Sequence, residues 1–276
     1  MTLERFQIPN LRFQISSRFQ ASVTNWNLVS GACDLYLESV IWNLKSNKSM
    51  LKFITEKSEV GVNSLATRIA ELLNAGKKVL WLVSGGSNIA LEVDILNKVR
   101  VGVKLDKLGL LTISQTDERY GPVGHPDSNW QQMKDVGFDF KGVVALPALT
   151  NLSTVQTVDR WSNEIEQAFN GSDTIVAQFG IGADGHIAGI LPHSKAIGAR
   201  SKEEGVKSAI AYEAPPFIRI TLTPAILTKV NEAYVFAYGD SKKKTLQDLR
   251  DRDLPIDEQP AQILKSLPEV SIYTDA

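Results

Sequence analysis

The chain has 276 residues, 43% of them hydrophobic and 22% charged, the composition of a globular protein with room for one large domain or two small ones. Its 30 basic and 31 acidic residues leave a formal charge of -1, so no global field favours nucleic acid or an anionic membrane as partner, and any anion must be bound locally. The single Cys33 excludes an internal disulfide, no Cys/His spacing points to a zinc site, and no apolar run approaches the roughly 20 residues of a membrane helix, so a reducing cytoplasm is the expected compartment.

Arg-Phe-Gln occurs three times, at 5–7, 12–14 and 18–20, in a Ser- and Asn-rich stretch whose only acid before Asp34 is Glu4. Such a short repeat is no solenoid unit. Residues 1–49 are expected to be a poorly ordered or accessory extension, or a mis-assigned start outside the native domain; a transit peptide, or a peripheral amphipathic helix over residues 28–44, are the alternatives. A single domain is expected over residues 50–276, because Met50-Leu51-Lys52-Phe53-Ile54 reads as a first strand and no linker-like composition interrupts the chain beyond it.

Val62, Leu65, Ala66, Ile69, Leu72 and Leu73 recur at helical spacing, and Asn74-Ala75-Gly76 supplies the stop. Val79 to Val83 is apolar throughout, as a strand buried on both faces would be, and runs into Ser84-Gly85-Gly86-Ser87-Asn88 and a second helix-like segment. A strand, a glycine turn and a helix start can hold phosphate on free amides, although the stretch alone fits a plain turn nearly as well. Leu108 to Ser114 reads as a strand that ends in Thr116-Asp117-Glu118-Arg119-Tyr120, charge placed where α/β sheets bind ligands. Glu118 is expected in an internal ion pair, and Ser128 or Asn129 at a helix N-cap.

Val143 to Leu146 predicts a short strand, and Val155 to Phe169 a helix with Val158, Trp161, Ile165 and Phe169 inward. Thr174 to Phe179 is a strand leading into Gly180-Ile181-Gly182-Ala183-Asp184-Gly185-His186, an acid and an imidazole two residues apart among glycines. Phe217 to Leu222 and Glu232 to Tyr238 are further strands, separated by a short helix opened at Thr223-Pro224. Gly239-Asp240-Ser241-Lys242-Lys243-Lys244 opens another helix, where lysines oppose the dipole unless an anion is present; for Lys243 and Lys244 a solvated run is the simpler reading. A helix-like Pro260 to Leu267 and a strand at Val270 to Tyr273 close the chain. This alternation predicts an α/β fold with a mostly parallel sheet covered on both faces, bringing the Ser84, Asp117, Gly180 and Gly239 loops to one edge.

Four motifs now stand in order: Leu82-Val83-Ser84-Gly85-Gly86-Ser87; Asp117-Glu118-Arg119 with Pro122 and Pro126-Asp127-Ser128-Asn129; Gly180 to His186 through Leu191-Pro192; and Gly239 with Lys242. In order and spacing they resemble the 6-phosphogluconolactonases over roughly residues 52–275. The resemblance implies a Rossmann-like sheet of the sugar-phosphate isomerase/deaminase type, and hydrolysis of 6-phosphoglucono-δ-lactone in the pentose phosphate pathway without metal or cofactor. It makes His186 the general base and Asp184 its orienting carboxylate. It assigns Gly85, Gly86, Ser87, Arg119 and Lys242 to the 6-phosphate and places Asp117 near the sugar.

The lactonases commonly show Thr-Ala-Ser-Leu-Phe-Pro after the histidine, where this chain has Ile187-Ala188-Gly189-Ile190-Leu191-Pro192, and Gly121 stands where valine is more usual. Glucosamine-6-phosphate deaminase/isomerase is the nearest rival. His186-Ile187-Ala188 resembles its Gly-His-Ile-Ala, but Leu191 replaces the glutamate that family carries before proline, and Arg119 its usual tyrosine. Gly180, Gly182 and Gly185 also satisfy G-x-G-x-x-G, yet Pro192 and the Ser201 to Glu204 stretch do not supply the helix and second strand of a dinucleotide site. A non-catalytic sugar-phosphate sensor is a further alternative, and His125 and His193 are read as loop or capping residues.

Overall fold

The run Val79–Val83 explains the layering. All five residues are buried, and their alternating side chains feed two separate cores: Val79, Trp81 and Val83 join one, Leu80 and Leu82 the other. A strand buried on both faces belongs in the middle of a sheet with helices on each side. The structure, a computed structural model, describes residues 50–198 and 207–276. In chain order the elements are β1 (Met50–Thr55), α1 (Ser58–Asn74), β2 (Val79–Val83), α2 (Ile89–Gly102), β3 (Leu111–Gln115), β4 (Asp117–Arg119), α3 (Asn129–Asp135), β5 (Val144–Leu146) and α4 (Thr154–Gly171). The chain continues through β6 (Thr174–Phe179), α5 (Lys195–Gly198), β7 (Ala209–Ala214), β8 (Phe217–Leu222), α6 (Pro224–Leu227), β9 (Glu232–Ala237), α7 (Lys243–Asp251) and β10 (Glu269–Thr274).

The main sheet has seven strands in the order β1-β10-β9-β6-β2-β3-β5, every neighbouring pair parallel. One face is covered by α1, α2 and α3, whose Leu65, Ile69, Ile95, Leu96, Trp130 and Met133 meet Trp81, Ile113 and Phe236. On the other, Trp161 and Ile165 of α4, Leu246 and Leu249 of α7, and Ile263 and Leu264 of a 3-10 turn meet Leu80, Leu82, Ala177, Val235 and Ile272. The fold is α/β and Rossmann-like. From β2 the chain moves outward to β3 and β5, then returns as β6 on the opposite side of β2. The crevice between the carboxyl ends of β2 and β6 is therefore a topological switch point, the usual ligand position of such sheets.

Several expectations are corrected. The strand expected from Leu108 begins at Leu111, after a 3-10 stretch Leu105–Leu110 that contains Gly109. Pro260–Ser266 is likewise 3-10, not α-helical. Phe217–Leu222 is a strand but leaves the parallel sheet: β8 pairs antiparallel with β7 and β4 in a separate sheet of order β4-β8-β7. Tertiary pairing, not propensity, makes strands of the alanine-rich β7 and the all-charged β4. The expectations for residues 1–49, and for Glu203 and Glu204, lie outside the described residues.

Helix α4 is opened by a capping box between Ser153 and Gln156. Its Trp161 is fully buried and donates from Nε1 to Ser114 Oγ at 3.1 Å, while Ser114 donates to the Leu146 carbonyl at 2.8 Å, tying α4 to β3 and β5. Trp161→Ala should therefore cost about 3–5 kcal/mol, read as a lower urea midpoint with an unchanged slope.

Candidate active site

The loop after β2 approaches the crevice through two glycines with different tasks. Gly86 has φ +66° and open space where a Cβ would lie. At Gly85 a Cβ would sit 2.2 Å from Asn129 Oδ1, so only glycine lets this loop pass beneath the Asn129 amide. Asn129 is buried and anchored by Nδ2 donating to the Asp117 carbonyl at 3.0 Å, and its Oδ1 has no partner. The loop continues as a 3-10 turn, Gly86–Asn88, into α2.

From the first turn of α2 the buried Glu92 reaches back. Its Oε1 accepts the Ser84 N–H at 2.7 Å and the Ser84 hydroxyl at 3.1 Å, and Oε2 has no partner. Burial pushes its pKa up to about 8, with the Ser84 bonds opposing and the Asp117 charge adding to the rise.

Strand β4 carries the next group. The fully buried Glu118 was expected to pair with an arginine, but it accepts five hydrogen bonds instead: from Gln115 Nε2, the Arg119, Asn129 and Trp130 amides, and the Ser128 hydroxyl, at 2.6–3.1 Å. Burial raises its pKa against these donors. Ser128 also accepts the Gln131 amide as the N-cap of α3. On either side of Glu118 the chain presents Asp117 and Arg119 to the crevice.

In the β4–β8 register Arg119 lies directly opposite Arg219. Both line the crevice, and both have a buried Nε without a partner. Like charges directly opposite across a strand pair are unfavourable unless an anion lies between them. Arg219 Nη1 is 3.8 Å from Asp117 Oδ2, and Arg119 Nη1 donates to the Asp127 carbonyl at 2.9 Å.

After β6 the chain turns through Gly180 to His186 and back on itself, with bridges between Ile181 and Ile187 and between Ile187 and Ile190. No helix starts at these glycines, so the G-x-G-x-x-G spacing is fortuitous. His186 Nδ1 lies 2.6 Å from Asp184 Oδ1, which also accepts the His186 amide at 3.1 Å. A carboxylate oxygen at this distance pairs with an N–H, so the contact selects the tautomer with its proton on Nδ1, and Nε2 is the ring nitrogen outside the Asp184 contact. A Cβ at Gly182 would lie 2.1 Å from His186 Nδ1 and 2.5 Å from Asp184 Oδ1; the pair rests on that glycine.

The crevice measures about 350 Å³. Gly85, Gly86, Ser87, Asp117, Arg119, His186 and Lys242 all line it, while Asp184 stands behind the imidazole. Arg219, Asn129 and Gly189 line it as well and were not foreseen as site residues. For Arg219 the signal was a lone cation inside the strand-like Phe217 to Leu222. Lys242 ends the 3-10 turn Asp240–Lys242, and burial lowers its ammonium pKa while Asp275 opposes that shift. Lys243 and Lys244 pair with Asp240 and Asp248 on the surface.

Gly189, with φ +67°, has no room for the serine hydroxyl, since its Cβ would fall 2.5 Å from Asp117 Oδ2. At Gly121 the space for a larger side chain is filled by the His125 ring, which bonds the Arg119 carbonyl at 3.0 Å. His193 pairs with Asp257 in an exposed loop. Among the described residues, no group of three or more His, Cys, Asp or Glu is placed to hold a metal ion, and no helix is long and apolar enough to cross a membrane.

The family described as glucosamine-6-phosphate isomerases/6-phosphogluconolactonase matches residues 56–271. The chain belongs to this family. It is 27% identical over 169 residues to a 6-phosphogluconolactonase of Borreliella burgdorferi, covering 58% of this chain and 69% of that protein. The crystal structure of a 6-phosphogluconolactonase from Shewanella baltica superposes with a TM-score of 0.67 at 20% identity, covering 83% of this chain and 98% of that one. A monomeric glucosamine-6-phosphate deaminase superposes with 0.64 at 16% identity, covering 81% and 97%. The shared fold therefore holds both activities of the family, and the reaction must be argued from the site.

Glu92 makes a stability prediction. Below about pH 4.5 it is protonated folded and unfolded; between about 4.5 and 8 only the folded state holds the proton, so stability falls as pH rises and levels off above about 8. The decline amounts to ~4–5 kcal/mol. Glu92→Gln should remove that component, so its advantage over wild type in chemical denaturation should grow across the same window.

Proposed function

We propose that this chain hydrolyses 6-phosphoglucono-δ-lactone to 6-phosphogluconate, with His186 as general base. The observation that supports the reading is the pairing of two features in one crevice: an imidazole whose Nδ1 faces Asp184, and three cations, Arg119 opposite Arg219 and Lys242, lining the crevice with the glycine loop. The Borreliella relative's name agrees with it.

In this reading the loop of Gly85, Gly86 and Ser87 gives its backbone amides to the 6-phosphate, joined by Arg119, Arg219 and Lys242. Asp117, against Arg219 and Gly189, orients the sugar hydroxyls. His186 Nε2 takes a proton from water as its oxygen attacks the lactone carbonyl. The carbonyl π pair moves to oxygen, then reforms the C=O as the bond to the ring oxygen breaks; the imidazolium returns its proton to that oxygen, leaving a hydroxyl and the carboxyl group of the product. Asp184 fixes the tautomer and stabilises the transient cation. Every proton is moved by a group the chain supplies.

Leu191, where the deaminases carry glutamate, packs partly buried against the core and does not line the crevice. No carboxylate stands there to assist sugar-ring opening, which favours the lactonase over the deaminase.

Hydrolysis of freshly generated 6-phosphogluconolactone, with ammonia release from glucosamine 6-phosphate assayed in parallel, tests the assignment. His186→Ala should lower kcat by about 10²–10⁴-fold. Unchanged lactonase activity in that variant would refute the mechanism, and ammonia release without lactonase activity would transfer the assignment to the deaminases. Gly182→Ala, which pushes a methyl into the imidazole, should lower kcat by about 10²-fold with little change in KM. Lys242→Ala should instead raise KM about tenfold with a smaller loss in kcat, as expected for uniform binding of phosphate.

A further inference from the structure

Outside the groups assigned to chemistry, Glu92 is a buried acid beside the anion crevice with one oxygen that no donor reaches. We propose that Glu92 is a positioning residue of that crevice: held against Ser84 behind the glycine loop, it is a neutral carboxylic acid when phosphate binds, and its ionisation weakens phosphate binding. This rests on the reading that the Gly85–Ser87 loop takes the substrate's phosphate.

Glu92 lies in the first turn of α2 and is fully buried. A single oxygen, Oε1, accepts both donors of Ser84, and the Asn88 amide secures the Ser84 hydroxyl at 3.3 Å. The carboxyl group is thus separated from the crevice by Ser84, itself a lining residue. Its second oxygen is buried without a donor. A carboxylate in that position would leave charge unsolvated, whereas a neutral acid leaves only one hydroxyl unmade, the smaller penalty. Burial accordingly moves the proton's release up to about pH 8.

Among the described residues, the one charge that acts on Glu92 is that of Asp117, and the cations carried by the helices of the same layer do not offset an ionised Glu92. On α1, Arg68 is engaged by Glu232 at 2.6 Å. On α2, Lys98 pairs with Asp94, and Arg100 bonds the carbonyls of Asp139 and Lys141. On α3, Lys134 and Asp135 are exposed. In the crevice, Arg119, Arg219, Lys242 and His186 face the space where phosphate would lie, and Asp117 adds a charge of the same sign as an ionised Glu92. Phosphate and an ionised Glu92 would compete for the same helix N-terminus and repel across Ser84. Such coupling is reciprocal: the factor by which ionisation weakens phosphate equals the factor by which phosphate holds the proton on Glu92. A phosphate monoester completes its own ionisation near pH 6, so it does not produce an effect above about pH 7.5.

The test is calorimetric binding of 6-phosphogluconate to the full chain from about pH 7 to 9.5, in buffers of differing ionisation enthalpy, for wild type, Glu92→Gln and Glu92→Leu, with circular dichroism confirming the fold at each pH. Wild type should lose about tenfold in affinity over that range through Glu92, and should take up protons on binding near pH 8. Glu92→Gln should lose that part of the fall and the uptake, leaving only what Lys242 contributes. Glu92→Leu, which also strips Ser84 of its acceptor, should show the same flattening at weaker affinity. Variants with the wild-type pH dependence would overturn the proposal, as would the absence of proton uptake by wild type if the variants fail to fold. A wild type that binds gluconate as tightly as 6-phosphogluconate would overturn the phosphate reading itself.

Discussion

Four polar side chains of the crevice occupy the space that a Cβ would take on three glycines. Asn129 lies over Gly85, the His186 and Asp184 pair over Gly182, and Asp117 over Gly189, with projected Cβ contacts of 2.1–2.5 Å. In each case the polar group is held by a backbone surface that cannot retreat. Such contacts orient a side chain without a long chain of hydrogen bonds, because the alternative positions are sterically closed. They also explain why these loops tolerate glycine's entropic cost of about 0.5–1 kcal/mol per position. The glycine-rich character of the site is thus a packing requirement as much as an opening for ligand.

Two buried acids near the crevice meet the same desolvation cost in opposite ways. Glu118 collects five donors, three of them backbone amides, and in doing so fixes the start of α3 to β4. That attachment places Asp117 and Arg119 at the crevice mouth and brings Arg119 into register with Arg219. Glu92 has one residue's donors and an orphan oxygen. The first acid builds the scaffold of the crevice wall. The second sits beneath the site with its charge unprovided for, which makes its proton, not its hydrogen bonds, the property of interest.

The parallel sheet was legible because β2, β6 and β9 are apolar almost without interruption and each runs into glycine within a residue or two, so pattern and punctuation agree. So were the loops of the crevice, since parallel strands deliver their carboxyl ends to one edge. The second sheet was not. β4 is Asp-Glu-Arg, with no strand propensity of its own, and β7 is rich in alanine; both exist only because β8 pairs with them. Arg219 was missed with that sheet, because its meaning comes from standing opposite Arg119. Glu118 was expected with a guanidinium because a sequence displays charges, whereas backbone amides, its main partners, leave no trace in the residue pattern.

The segment after His186 departs most from the lactonase pattern, yet the second sheet supplies what its side chains lack. Ala188 and Gly189 both have positive φ, 51° and 67°, a conformation that needs bracing. Thr221 of β8 donates its hydroxyl to the Ala188 carbonyl, and Tyr212 of β7 donates to that of Gly189. These bonds pin the turn from outside the crevice, where hydroxyls at 187 and 189 are absent. With no side chain at 189, Asp117 can rest directly on the turn. The missing serine and the placement of Asp117 are therefore one structural fact: a hydroxyl restored at 189 would have to displace the carboxylate that lies beside Arg219.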